Sequence, residues 1–491
     1  MRILKRITPP EIFFCLLAAS LCACSLNPSY QRPPWPTAAS YPEQAATQAS
    51  VNIQQLGWRD FFADPALHDL IGLALDNNRD LRIAMQRVEE ARALYGIQRA
   101  DLLPSISASA LGSRSRLPAD LSPTGGALTS NTYQATLNLS SWELDFWGRV
   151  RSLKEGALES YLATNEARRA VVVSLVAQVA NTYLQERELD ERIAIARQTI
   201  GTREESYRIA RRRYEVGYAS RLDSAQTEAL LNQARADLAL LQRLRELNRN
   251  ALTLLVGSPI ISDDRLLSQI EGGFLRDISP GLPSDLLIYR PDVIAAEHSL
   301  KAANASIGAA RAAFLPRIAL TGDLGSASSE LNGLFGSGSL VWSFTPSLSL
   351  PIFQGGRNVA NLDLSKARRN IAVADYERTI QNAFREVADA LAERRWLADQ
   401  LAAQQTTLAA QNDRAHLAKL RYDSGAAPYL EVLDAERDRF TAEQALVQTR
   451  RALLASSVSL YAALGGGAPG QALDSAPMKG PRPAAIMETG Q

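Results

Sequence analysis

The chain repeats itself. Asp80 to Pro104 aligns with Asp292 to Pro316, and both stretches end in Leu-Pro. Farther on, Arg213-Tyr214-Glu215-Val216-Gly217 aligns with Arg421-Tyr422-Asp423-Ser424-Gly425, Leu222-Asp223 with Leu430-Glu431, and Val256-Gly257 with Leu464-Gly465. The second copy follows the first by about 210 residues with a small drift, so the body is one unit used twice. Each copy follows one plan: a helix of moderate length (about 66–99 and 291–313), a two-strand segment, then two very long helices. The first repeat is placed at 53–270, with strands in 104–145 and a long helix pair over 149–257. The second is placed at 271–465, with strands in 316–352 and a helix pair over 354–465.

The helices are marked by missing proline, which costs a helix interior about 3 kcal/mol. None occurs between Pro123 and Pro259, and only Pro428 lies between Pro351 and Pro469. Residues 149–216 can therefore form one helix roughly 100 Å long. Leu231, Ala234, Leu238, Leu241, Leu252 and Leu255 follow alternating steps of three and four, broken by Arg245 and Asn248. Val373, Tyr376, Ile380, Ala383, Val387 and Ala390 keep the same steps without a gap. That period wraps helices on each other as a coiled coil.

The strands are marked by period two. Leu340, Trp342, Phe344, Leu348 and Leu350 alternate with Val341, Ser343, Thr345, Ser347 and Ser349. Tyr133, Ala135, Leu137 and Leu139 alternate with polar residues, as do Ile106, Ala108 and Ala110, and Ile318, Leu320 and Leu324. Short strands that alternate apolar and polar residues are the pattern of an outer-membrane barrel. Leu117 to Asn131 and Gly325 to Gly338 read as surface links. Four strands cannot close a barrel, and an open edge in lipid leaves backbone groups unpaired. Strands must be pooled from several copies, and the long helices would then ring a tunnel.

The ends carry other signals. Arg2, Lys5 and Arg6 precede the short apolar stretch Ile12 to Leu21, as in a secretory signal at 1–23. Leu21-Cys22-Ala23-Cys24-Ser25 resembles the bacterial lipobox, which makes Cys24 the acylation site; bulky Leu21 makes Cys22 a poorer one. That resemblance, with Ser25 rather than Asp after the cysteine, implies outer-membrane sorting. Residues 24–52 read as a lipidated linker and 466–491 as a loose tail. All three cysteines, Cys15, Cys22 and Cys24, fall in this first stretch, which excludes disulfides and cysteine metal sites from the body. Lys+Arg 53 against Asp+Glu 52 argues against nucleic acid as a partner. No cofactor is expected beyond the lipid on Cys24.

Longer motifs carry a resemblance. They include Trp58-Arg59-Asp60-Phe61-Phe62-Ala63-Asp64-Pro65 and Trp142-Glu143-Leu144-Asp145-Phe146-Trp147-Gly148-Arg149. Others are Leu282-Pro283-Ser284-Asp285-Leu286-Leu287, Arg290-Pro291-Asp292 and Ile307 to Pro316. On these, residues 53–466 resemble the TolC-like outer-membrane efflux channels, in their lipidated NodT-type branch. The resemblance implies an α+β membrane protein: a homotrimer with a twelve-strand barrel and a helical periplasmic tunnel. It implies an outer-membrane location, a periplasmic adaptor protein, and an inner-membrane pump of the RND type. It also assigns roles. The hairpin tips, with Arg213 and Gly217 in one and Arg421 and Gly425 in the other, would meet the adaptor. Glu431 and Asp434, three apart on one helix face, would line a periplasmic gate that collects cations, with Leu430 as an apolar collar and Arg437 as a tie. The first copy has Asp223 and Gln226 at the matching places, one charge fewer.

Two other readings compete. An enzyme would need a site, yet His68, His298 and His416 have no ligand-like spacing. Gly465 to Gly470 fits a nucleotide-binding glycine pattern but follows a helix and enters a tail, so it reads as a helix stop. A pore-less coiled-coil tether on a lipid anchor would suit the helices but not the alternating strands.

Overall fold

The computed structural model describes residues 26–38, 57–123, 125–259, 275 and 289–466. Cys24, the signal stretch, much of the linker and nearly all of the tail lie outside the described residues. In chain order the helices are α1 Trp58–Phe61, α2 Pro65–Asn77, α3 Arg79–Ala100, α4 Arg149–Glu215, α5 Arg221–Val256, α6 Pro291–Ala312, α7 Arg357–Asp423 and α8 Tyr429–Ala463. The strands are β1 Ile106–Leu117, β2 Leu128–Glu143, β3 Arg317–Ser328 and β4 Leu340–Ser349. The proline-free stretches become α4 and α7, each 67 residues and so about 100 Å long. The order helix, two strands, 67-residue helix, shorter helix occurs at 79–256 and again at 291–463. The chain divides into two compact units: Met1–Pro34, Arg87–Asn165 and Ala295–Glu377 form one, and Trp35–Gln86, Glu166–Ile294 and Arg378–Gln491 the other.

The first unit holds a four-stranded antiparallel sheet in the order β1-β2-β3-β4. Its register gathers the apolar residues on one face. Ala108, Leu137, Leu324 and Trp342 lie in one row across the four strands, and Ile106, Leu139, Gly322 and Phe344 in the next. The opposite face carries Ser109, Thr136, Asn138, Asp323, Ser343 and Thr345. The apolar face is bare: Trp342 is 68% exposed and Phe344 60%. A bulge between Leu139 and Trp142 puts Trp142 opposite Leu320, and its indole donates to the Leu102 carbonyl at 3.3 Å. β1 and β4 are the two edges of this sheet.

The strands overrun the expected links at 117–131 and 325–338. Thr129 to Asn131 continue the ladder with β1, and Gly325 to Ser328 continue it with β2. Ladder hydrogen bonds need no apolar side chain, so the period-two signal fades before the strands end. Gly325 is also a packing requirement. A Cβ there would drive into the Ala135 carbonyl and lie 2.6 Å from Thr136 Cα. Gly325→Val is expected to destabilise the sheet by on the order of 3 kcal/mol, measured by chemical denaturation. Gly96→Ala on α3, where nothing lies within 4 Å, is the comparison that should cost nothing and gain up to about 1 kcal/mol of helix propensity.

In the second unit, Phe61 stacks on Tyr461 at 4.4 Å between ring centroids, and Trp58, Leu67, Ile71 and Tyr183 are buried with them. Asp64 caps α2 through the Ala66 N–H and accepts the Tyr183 hydroxyl at 2.6 Å. The helix expected over 66–99 is two helices, broken at Asn78. The Asn78 side chain accepts from the Leu81 N–H, which starts α3, and donates to the Leu255 carbonyl, both at 2.9 Å. Apolar spacing continues across the break, which is why periodicity alone runs through it.

The two polar exceptions in the α5 frame face charges on α4. Arg245 lies 2.6 Å from Asp190 and 3.3 Å from Glu186, and Arg249 lies 3.4 Å from Glu186. Asn248 donates to Glu186 at 2.9 Å. From α8, Arg451 reaches Glu188 at 2.9 Å and Arg450 reaches Glu191 at 3.1 Å. Glu186 is only 3% exposed. Burial pushes the Asp190 carboxyl up, against the pull of Arg245 and Arg187.

Candidate functional site at the helix-hairpin ends

Each long helix ends in the same turn, built by its glycine. Gly217 (φ 78°) and Gly425 (φ 76°) take the left-handed conformation that residues with a Cβ avoid. The Gly217 N–H donates to the Tyr214 carbonyl and the Tyr218 N–H to the Arg213 carbonyl; Gly425 to Tyr422 and Ala426 to Arg421 repeat the pattern. These pairs are Schellman caps, which satisfy the last carbonyls of α4 and α7. Arg213 and Arg421 thus occupy one helical position, but their side chains differ. Arg213 is half-buried, donates to the Tyr422 hydroxyl and lies 5.5 Å from the centre of that ring. Arg421 is exposed and sits 3.4 Å from Glu431.

The helices that follow start differently. α5 opens with a capping box: Ser220 accepts from the Asp223 N–H, and the Asp223 carboxylate accepts from the Ser220 N–H. In α8 the matching N-cap is Pro428, which has no side-chain oxygen to offer and no N–H to receive a carboxylate. Glu431 therefore has no capping task, and its carboxylate turns to Arg421 instead. One proline converts a structural acid in the first copy into an available one in the second.

Four candidate residues share the outer side of α8. Leu430 is 47% exposed, and Glu431, Asp434 and Arg437 are partly or fully exposed. Their neighbours Val432 and Ala435 bury against Ala415 and Ala418 of α7, with Tyr422 and Tyr429 packed alongside. Among the described residues Arg437 pairs within its own helix, at 3.2 Å from both Asp434 and Asp438. Within the hairpin, α7 and α8 are joined by Arg414, 2.7 Å from Asp438, and by the Arg421–Glu431 pair. The Arg414 guanidinium holds the Asp438 carboxyl below the usual carboxylate range. Exposed pairs of this kind contribute about 0–1 kcal/mol each, so this end of the hairpin is lightly fastened.

Sequence reasoning missed Arg414, Asp438 and the pair Tyr422–Tyr429. Asp438, four residues after Asp434, was open to the i,i+4 rule. It also missed the apolar exposure of the first tip, where Val216, Tyr218 and Leu222 face solvent. Among the described residues no helix is long and apolar enough to cross a membrane, which says nothing of the sheet.

Comparison with known proteins meets this geometry over most of the chain. The sequence profile of the family described as outer membrane efflux protein matches residues 70–258 and 282–466, one match for each helix–strand–helix run. The chain is 47% identical over 451 residues to a probable efflux pump outer membrane protein, TtgC of Pseudomonas putida, covering 91% of this chain and 93% of that one. It is 46% identical over 457 residues to outer membrane protein OprJ of Pseudomonas aeruginosa, covering 92% and 95%. The open state of the MtrE outer membrane channel of Neisseria gonorrhoeae superposes with a TM-score of 0.82 at 41% identity, over 90% of this chain and 98% of that one. The chain belongs to the outer membrane efflux protein family and is an outer-membrane channel protein of efflux.

Proposed function

We propose that three copies close a twelve-strand barrel in the outer membrane and continue it as a helical tunnel in the periplasm. The carrying observation is a sheet whose apolar face is bare and whose edge strands, β1 and β4, each have an outer side with no strand beside it among the described residues. Inside lipid each unpaired N–H or C=O costs several kcal/mol, so β4 of one copy must meet β1 of the next. Two copies would give an eight-strand barrel, which side chains fill; three give about twelve strands and leave a lumen. The bare face, with Trp342 and Phe344, then meets lipid, and the serine-rich face lines water.

The duct is passive and accepts what an inner-membrane pump of the RND type and a periplasmic adaptor deliver. The hairpin tips at Arg213–Gly217 and Arg421–Gly425 meet the adaptor, with Tyr218 and Val216 supplying apolar area. Leu430, Glu431, Asp434 and Arg437 form the periplasmic gate, held closed by the weak pairs Glu431–Arg421 and Arg437–Asp438 and by the neighbouring Arg414–Asp438 pair. A lipid on Cys24 anchors the chain beside its barrel.

The test is mass and current. Purified protein in detergent should weigh three chains by light scattering and conduct ions in a planar bilayer. A single-chain particle without current would overturn the proposal. Replacing Cys24 with Ser should leave the protein in the outer-membrane fraction, because the barrel itself is the membrane device.

A further inference from the structure

The segment just after the lipobox is not loose. Residues 26–32 lie along α6 within the first unit, antiparallel to it. Arg311 donates to the Leu26 carbonyl at 3.1 Å and Asn304 to the Pro28 carbonyl at 2.8 Å. Arg32 grips Glu297 with contacts of 2.8 and 3.0 Å, and the Tyr30 hydroxyl donates to the same carboxylate at 3.1 Å. Lys301 lies 3.3 Å from Glu297 and 5.3 Å from the centre of the Tyr30 ring. On the α4 side, the Asn27 amide bonds Glu155 and Ser152.

The face that receives this strap is written into α6. Glu297, Asn304 and Arg311 are spaced by seven, with Lys301 and Gly308 between them, so they form one stripe along the helix. At Gly308 the strap comes so close that a Cβ would lie 2.8 Å from Asn27 Cγ and 2.9 Å from its backbone nitrogen. Glu297 is only 6% exposed. Burial pushes its carboxyl up, but Arg32 and Lys301 outweigh that and hold it below the usual carboxylate range. Tyr376 packs beside it, buried, its hydroxyl without a hydrogen-bond partner among the described residues.

The first repeat is an internal control. Shifted by the repeat spacing, the same stripe on α3 reads Met85, Glu89, Arg92, Gly96 and Arg99. The buried acid is gone, and Gly96 faces open space. Only the copy that carries the strap has the acid and the asparagine that hold it.

We infer that this face of α6 is a binding site for the chain's own N-terminal segment, an extended peptide whose Tyr30 and Arg32 are read by Glu297. The strap begins two residues after Cys24, and its first contact is at the end of α6 that leads into β3. Docking therefore delivers whatever Cys24 carries to the root of the sheet. The lipid supplies membrane affinity; the strap decides where along the body that affinity acts.

Chymotrypsin cleavage after Tyr30 in the full-length protein reads docking, followed by mass spectrometry of the released N-terminal fragment. The wild type should be cut slowly. Arg32→Gln and Glu297→Gln should each be cut at least about tenfold faster, and the double variant no faster than Glu297→Gln alone, because both act through one contact. Arg32 is half-exposed on the strap, so its variant keeps the test valid if Glu297→Gln fails to fold. Wild-type rates in Arg32→Gln, or multiplying effects in the double variant, overturn the inference.

Discussion

Replacing Glu431 and Asp434 together with alanine is expected to raise single-channel conductance in planar bilayers severalfold and to sensitise cells to large antibiotics. The reason lies in how little fastens this end. Val432 and Ala435 pack α8 onto α7, but the outer side holds only exposed charge pairs. Glu431 lies 3.4 Å from Arg421 and Asp434 lies 3.2 Å from Arg437. The double change removes both pairs and leaves Asp438 as the last acid tied to Arg414. Asp438→Ala should therefore add to the effect. Asp223→Ala on α5, which loses a capping box, should cost about 1 kcal/mol of stability and leave conductance alone. Unchanged conductance in the Glu431/Asp434 variant would remove these residues from the gate.

The largest effect on stability is expected at Glu186. It is buried, and Arg245, Arg249 and Asn248 all turn to it. Glu186→Ala strands those groups, with an expected loss of about 3–5 kcal/mol in chemical denaturation. Replacing Glu186, Asp190, Arg245, Asn248 and Arg249 together with leucine should recover much of that loss, since a buried charged layer and an apolar one of similar volume differ little in stability. What the leucines would not restore is register. A polar layer in a coiled-coil seam is satisfied in one alignment only, whereas leucines accept several. Cysteine crosslinks between α4 and α5 should form in one pairing in the wild type and in shifted pairings in the all-leucine layer.

The long elements were legible in the sequence because their signals are local. Absent proline marks α4 and α7, and period two marks β1 to β4. Tyr376, Ile380, Ala383, Val387 and Ala390 are buried as their spacing predicts. What escaped depended on distant residues. The break at Asn78 is held by a carbonyl 177 residues away. Arg245 and Asn248 looked like faults until Glu186 and Asp190 stood opposite them. In the site, the exposed face of Leu430, Glu431, Asp434 and Arg437 followed from helical spacing. The Arg414–Asp438 tie did not, because it joins two helices whose mutual register no single helix reveals. The meaning of Pro428 was readable in principle, since aligning the repeats sets it against Ser220.

The unpaired rims of β1 and β4 also have a genetic consequence. In the proposed ring of three, every subunit would supply one side of two seams, so one faulty rim would open the whole cylinder. A proline that deletes an outward-facing donor of β1 would therefore be dominant. Expressed in equal amounts with the normal protein, it would leave only about one ring in eight without a defective member. Drug tolerance in such cells should fall far more than the halving of normal chains alone would cause.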